Sequence, residues 1–388
     1  MGCHREDHDR LIPKTARTTT GPSQHSIEGT MTSRIIVALA VAVLTATFAS
    51  ADDLYFPADG WETVKPSSVG WNSGKLAAAV QFAMSRKSSG IVILYRGRIL
   101  AEEYQDLQNA STRYRRMVQG QDADGHPIED VASAQKSVVS FLVGVAQEKG
   151  HVKITDPVHQ HLGVGWSRAK PKQESAITIR HLMTMSSGLN DKLEFITRPG
   201  TKWKYNTSAY SQTLRTIAAA SGKSPNELTG EWLTNHLGMK DSRWVERPGA
   251  KLNLAANPYG FATSARDLAR FGLLMVAKGR WNDRTLLADQ DYLKAALAPS
   301  QTMNPSYGFL WWLNGQESRV RGALRVKGPL IASAPPDLVG AFGALGRKCY
   351  VVPSLDLVVT RLGDSPTLVG KANFDREFWR LLMEAAPK

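Results

Sequence analysis

Residues 133–146, Ser-Ala-Gln-Lys-Ser-Val-Val-Ser-Phe-Leu-Val-Gly-Val-Ala, carry a single charge, on Lys136, and no proline. The pattern predicts a helix, and a helix that is apolar on most sides belongs in the interior. The rest of the chain must therefore fold around this segment. Residues three apart share a helix face, so Ser133 Oγ and Lys136 Nζ should meet. At a helix start the oriented N–H groups and the dipole favour negative charge, as a developing oxyanion requires. Burial lowers a lysine pKa, and a neutral amine can take a serine proton. The segment predicts a nucleophilic serine with a lysine base.

Ser-x-x-Lys is short enough to arise by chance, and the chain has a second copy, Ser167-Arg168-Ala169-Lys170. That copy sits among charged residues directly before Pro171, and a residue before proline is biased away from helix. It is expected to be a solvated loop. Only the apolar context singles out Ser133.

The 388 residues, 42% of them apolar, suffice for a large core. Residues 1–30 are polar, turn-rich and without apolar periodicity, and are expected to be a non-structural extension. In residues 31–51 a basic residue, Arg34, precedes the apolar run Ile35 to Phe48, which ends in Ala49-Ser50-Ala51. This describes a secretory signal peptide cleaved after Ala51. The run is short for a membrane span, and an uncleaved anchor is the competing reading. A secreted or periplasmic protein is expected, without a stable membrane span after processing. Residues 52–74 form an N-terminal segment, and 75–388 the main domain.

Cys3 falls in the leader, leaving Cys349 as the one cysteine of the mature chain. An internal disulfide is then impossible. His159 and His161 form a lone His-x-His read as solvated loop, so no metal and no organic cofactor is expected. The net charge of +13 is scattered along the chain without basic runs. That argues against nucleic acid and for affinity to anionic envelope surfaces. The expected partner is a small-molecule substrate.

A helix is predicted over 75–86, and a β-hairpin over 91–104 about Arg96-Gly97. Residues 105–130 read as a polar stretch, and 151–300 as helices and loops. Ser264 and Asp267 form a capping box ahead of Leu268 and Phe271. Strands are predicted at 307–313, 319–326, 338–342, 348–352 and 355–362, followed by a helix at 374–384. The expected class is α/β (α+β), with an antiparallel sheet formed from both chain ends, flanked by helices, and an inserted mostly helical subdomain.

Further landmarks follow Ser133 in order: Thr184-Met185-Ser186-Ser187-Gly188-Leu189, then Trp203-Lys204-Tyr205-Asn206-Thr207, Gly260-Phe261-Ala262-Thr263-Ser264, Tyr307-Gly308-Phe309 and Tyr350-Val351-Val352-Pro353. Over roughly residues 75–385 the chain resembles the serine β-lactamase and penicillin-binding-protein superfamily. Within it the likeness is to class C-like serine hydrolases, which include esterases and aminohexanoate-dimer hydrolases. The resemblance implies a β-lactamase/transpeptidase-like fold, with Ser133 as the acylated nucleophile and Lys136 as its base. Tyr205 matches the tyrosine of a Tyr-x-Asn element, where an ionised phenol could shuttle protons. Thr207 stands where that element has Asn, and Asn206 is displaced by one. A third element, usually Lys/His-Thr/Ser-Gly, falls by counting at Leu338-Val339-Gly340. Gly340 and the backbone N–H of Ala341 are then the candidate oxyanion and substrate-binding residues. The side chains that would hold a substrate carboxylate are missing there, with Arg347 and Lys348 the nearest cations.

The sequence thus predicts a secreted serine hydrolase acting through a Ser133 acyl-enzyme on an ester or amide. Its pocket should favour uncharged acyl groups, among Trp203, Tyr205, Tyr210, Trp311 and Trp312. The alternatives are a β-lactamase or D-alanyl-D-alanine peptidase, and a non-catalytic cell-wall binding protein on the same fold.

Overall fold

The computed structural model describes residues 54–248, 256–322, 324–366 and 373–388. The proposed extension and signal peptide lie outside the described residues. Residues 54–74 lie against the fold: Tyr55 N–H donates to the Arg96 carbonyl, and Val64 and Glu62 bond both sides of Ile99.

The main sheet has six antiparallel strands. In spatial order they are Arg98–Tyr104, Ser88–Tyr95, Leu357–Gly363, Lys348–Val352, Val339–Phe342 and Trp312–Leu313. Both ends of the chain build it, as the pattern of short strands and tight turns predicts. Its central strands read as continuous apolar runs because both faces are covered. The period-two alternation of a strand sorts their side chains between two cores. Ile91, Ile93, Tyr350, Val352, Leu357 and Val359 pack with helices Ser73–Met84 and Phe374–Ala385. Val92, Leu94, Cys349, Val351, Val358 and Leu362 face helices Gln135–Glu148 and Ala265–Val276. The second helix lies close because Gly272 has no Cβ to meet Val358.

Four differences from the sequence expectation have local causes. The strand expected over 307–313 is reduced to Trp312–Leu313, since Leu310 takes a left-handed φ of 63° and the chain turns there. The stretch 319–326 is a separate two-stranded hairpin, Ser318–Arg321 with Leu324–Lys327, with Gly322 at a φ of 62° between its strands. His159 to Leu162 form a short helix in which His161 Nε2 lies 3.2 Å from Asp156 Oδ2. The polar stretch before Ser133 contains two strands, Val118–Gln121 and Pro127–Asp130. These join Tyr259–Thr263 and Arg243–Glu246 in a second antiparallel sheet. That small sheet ends beside the predicted nucleophile.

Candidate active site

The chain reaches Ser133 from the end of the Pro127–Asp130 strand through a single turn of 3-10 helix, Ala132–Ala134, which runs into the apolar helix Gln135–Glu148. Ala132 sits at a left-handed φ of 51°. For a residue with a Cβ that costs on the order of 1 kcal/mol, so its surroundings must hold it there. The Ala132 N–H donates to Asp130 Oδ1 at 2.8 Å. Arg247 grips the same carboxylate with two bonds of 3.0 Å, from Nε and Nη2. Gly260 makes this possible, because a Cβ there would run into the Asp130 carboxylate. Gln135 extends the network. Its Oε1 accepts from the Phe261 N–H and from Arg247, and its Nε2 donates to the Tyr259 carbonyl and the Tyr210 hydroxyl.

Lys136 is 2% exposed. Its Nζ lies 3.0 Å from Ser133 Oγ and 3.4 Å from Thr207 Oγ1. Burial, and secondarily the charge of Arg247, push its pKa down to about 7. The ring faces of Tyr210 and Tyr205, 4.4 and 5.0 Å from Nζ, leave it a site where a cation is still tolerated. Tyr205 shares a hydrogen bond with Ser133, yet burial pushes its phenol up to about 12. Burial thus favours the neutral phenol over the ionised form that the resemblance allows.

Thr207 begins helix Thr207–Ser221, which Asn206 caps by accepting from the Ala209 N–H. The Asn206 amide also donates to the carbonyls of Leu189 and Asn190. The displaced asparagine is thus tied to the 189–190 loop, and Thr207 faces Lys136.

Gly340 and Ala341 lie buried on the Val339–Phe342 strand, with Gly340 opposite Trp312 and Tyr350. The Phe342 ring occupies the space a Gly340 side chain would need. The chain also meets the nucleophile turn two to three residues beyond Ala341. A Cβ on Gly343 would strike the Val131 carbonyl oxygen, and Ala344 lines the Ser133 cavity. The count back from Pro353 gives no sign of this further approach, which the tight turn over 343–347 produces.

The Ser133 cavity has a volume of about 590 Å³. Lys136, Thr207 and Asp130 line it together with Arg113, Arg116, Glu246 and Arg247. The sequence reading missed Arg113 and Arg116 because residues 105–130 gave no periodic pattern. A second cavity of about 910 Å³ has Trp203, Tyr205, Trp312, Met303 and Arg325 in its walls. There Tyr205 stacks on Trp312 with ring centroids 5.8 Å apart. Two expected pocket walls are not walls. Trp311 is fully buried against Phe271, and Tyr210 lies beneath Lys136.

Both cations named as carboxylate anchors are committed elsewhere. Arg347, fully buried, donates Nε to Glu129 Oε2 at 2.7 Å, and Lys348 pairs with Asp375 at 3.2 Å. The decoy serine is also not a solvated loop. Ser167 is buried and donates to Glu174 Oε2 at 2.6 Å, with no lysine partner for its hydroxyl.

An uncharacterized protein of Alkalihalophilus pseudofirmus is 23% identical over 300 residues, covering 71% of this chain and 84% of that protein. A protein of Escherichia coli named Beta-lactamase is 22% identical over 291 residues, 61% of this chain and 74% of its own length. Among solved structures, a candidate 6-aminohexanoate-dimer hydrolase from Bacillus anthracis superposes with a TM-score of 0.60 at 15% identity. It covers 86% of this chain and 87% of its own. The Beta-lactamase family model matches residues 76–383, a span that holds most of the two-core fold and every residue of the Ser133 site, and the chain belongs to that family, within the serine β-lactamase and penicillin-binding-protein superfamily.

Proposed function

We propose that the protein is a serine hydrolase that cleaves an ester or a linear amide through a Ser133 acyl-enzyme. One observation carries the reading: a buried lysine, whose pKa burial pushes down to about 7, lies 3.0 Å from a serine oxygen at a cavity. Neutral Lys136 takes the Ser133 proton as Oγ bonds to the substrate carbonyl carbon. The carbonyl oxygen then carries the negative charge, at the start of helix Gln135–Glu148, where N–H groups face it. Ala341, or Ala344 in the cavity wall, would supply the second backbone donor. As the bond to the leaving group breaks, the Tyr205 phenol gives that group its proton and recovers one from the Lys136 ammonium. Water cleaves the acyl-enzyme by the reverse transfers. Thr207 holds the amine between them.

The preference for esters and linear amides over β-lactams rests on the third strand. Leu338 and Val339 are buried and apolar, while Arg347 and Lys348 are engaged away from the site. A fluorophosphonate should label the wild type and fail on Ser133→Ala. A screen of p-nitrophenyl butyrate, nitrocefin and short linear amides should show the ester turned over faster than nitrocefin. The opposite order would support the β-lactamase reading, and absence of labelling the non-catalytic one. Secretion belongs to the same proposal, and N-terminal sequencing of exported protein should begin at Asp52. A start at Met1 or Met31 would overturn it.

A further inference from the structure

Tyr205 has to keep its hydroxyl on the reacting atoms, yet the loop that carries it fixes only its backbone. The next residue, Asn206, donates to the carbonyls of Leu189 and Asn190, which says nothing about the direction of the neighbouring ring. The Tyr205 hydroxyl shares a hydrogen bond with Ser133, while its ring lines the cavity of about 910 Å³. A phenol turns about two side-chain torsions, and that cavity gives it room to turn away. The contacts that oppose such a turn are aromatic. Trp312 stacks on Tyr205 with centroids 5.8 Å apart and planes 20° from parallel, and Tyr307 meets the same ring edge-on at 6.2 Å.

Trp312 is held in its turn. It stacks on Phe342 with centroids 6.4 Å apart and planes 15° from parallel. The Phe342 ring lies over Gly340, where a side chain would displace it, and the Lys348 ammonium sits 3.9 Å from its centre. Lys348 is anchored by its pair with Asp375, and the backbone of Trp312 pairs with that of Gly340 in the main sheet. A row of near-parallel rings thus runs from the sheet to the phenol, and its contacts are directional as well as apolar. The missing side chain at Gly340 makes room for this row rather than for a substrate. We infer that Trp312 is a positioning residue: through its stack on Tyr205, and backed by Phe342, it holds the phenol hydroxyl at Ser133, where it protonates the leaving group. This inference rests on the roles proposed for Ser133 and Tyr205. The step it serves is narrow. As the acyl carbon–oxygen bond of an ester breaks, the departing alkoxide takes the phenol proton, and the phenolate recovers one from the Lys136 ammonium. An alkoxide leaves poorly without that proton, whereas a p-nitrophenolate leaves readily as the anion. A displaced phenol should therefore harm alkyl esters and spare nitrophenyl ones.

The test compares kcat/KM for ethyl butyrate and p-nitrophenyl butyrate on one preparation. Both give the same butyryl-enzyme, so their ratio reports acylation alone. Trp312→Leu should lower turnover of the ethyl ester about tenfold more than that of the nitrophenyl ester. Trp312→Phe keeps a stacking ring and should restore most of the ratio. Tyr205→Phe should give a larger loss of the same kind, and Trp312→Leu should leave the ratio unchanged in its background, since no phenol remains to be positioned. Phe342→Leu, one ring further from the site, should shift the ratio the same way by a smaller factor of about three, and it reads the effect if the larger change unfolds the site. An equal loss on both esters, an unchanged ratio, or a further shift in the Tyr205→Phe background would overturn the positioning role and leave Tyr205 as the acid. A wild-type ratio retained in Tyr205→Phe would overturn the proton transfer itself. Fluorophosphonate labelling that persists in Ser133→Ala would overturn the serine reading, and this inference falls with either.

Discussion

The protonation of Lys136 sets a pH dependence that can be worked through. A solvated lysine has a pKa of 10.5, and Lys136 is brought down to about 7, first by burial and then by the Arg247 charge. At about 1.4 kcal/mol per unit, charging it in place costs on the order of 5 kcal/mol more than in water. The consequence for catalysis is large. At pH 7 a solvated lysine is neutral in about three molecules in ten thousand, and Lys136 in about half. The rate constant for labelling by a neutral fluorophosphonate, measured from pH 5 to 10, should rise through a single limb near pH 7 and then level off. Arg247→Gln removes the neighbouring charge, which should move the limb to higher pH and slow labelling more at pH 6.5 than at pH 9. Arg247→Lys should keep the limb near its wild-type position. The same shift affects stability. Between about pH 7 and 10.5 the unfolded chain holds a proton that the folded chain has released, so this group makes the fold more stable as pH rises through that window. Below pH 7 its burial penalty is present in full. A limb at pH 4–5 would assign the base to a carboxylate, and a rate flat from pH 5 to 9 would refute a titrating lysine altogether.

Other variants separate chemistry from architecture. Ser133→Ala should abolish labelling with the melting temperature nearly unchanged, since a half-buried hydroxyl at a turn contributes little packing. Ser167→Ala should keep full labelling and lose about 1–2 kcal/mol of stability in a urea titration, because it leaves the buried Glu174 without one of its donors. Lys136→Ala and Tyr205→Phe should each slow acylation by orders of magnitude, and the double variant should be little worse than the slower single one. Additive losses would make Tyr205 only a wall of the aromatic cavity. Gly343→Ala should cost about 1–3 kcal/mol and slow labelling as well, because its Cβ would push on the Val131 carbonyl, two residues before the nucleophile. Loss of stability with the labelling rate unchanged would detach Gly343 from the site.

What could be read from sequence were the elements whose pattern is local. The hairpin 88–104 and the terminal helix announce themselves by period and turn residues, and Ser264 does cap Ala265–Val276 by accepting from the Asp267 N–H. The second half of that box failed, because the Asp267 carboxylate turns instead to the Asp241 N–H and the Ser242 hydroxyl. Ser133 and Lys136 were legible since a separation of three residues, across the 3-10 turn and the helix it runs into, fixes their meeting. The Arg247–Asp130–Gln135 network was not. Arg247, just past the end of a strand, lies more than a hundred residues from Asp130 and Gln135, and each alone looks like an ordinary surface charge or amide. The same holds for Arg347, whose commitment to Glu129 depends on the pairing of distant segments.

That hidden network explains why the legible pair would work at all. Arg247 reaches both the backbone strain and the protonation of the site. Through Asp130 it holds the N–H of Ala132, the residue whose left-handed turn aims Ser133, and through its charge it lowers the pKa of Lys136. The two duties pull on one side chain in the same direction. If Arg247 swings away, Asp130 loses its partner, Ala132 is freer to relax toward negative φ, and Lys136 becomes easier to protonate. Geometry and basicity would then fail together. A lysine at 247 should therefore rescue the pH limb better than the rate, since it supplies the charge without the two-bond grip on Asp130 that fixes the turn. Equal rescue of both would mean that Ala132 is held by the fold alone, and that Arg247 acts on Lys136 only through space.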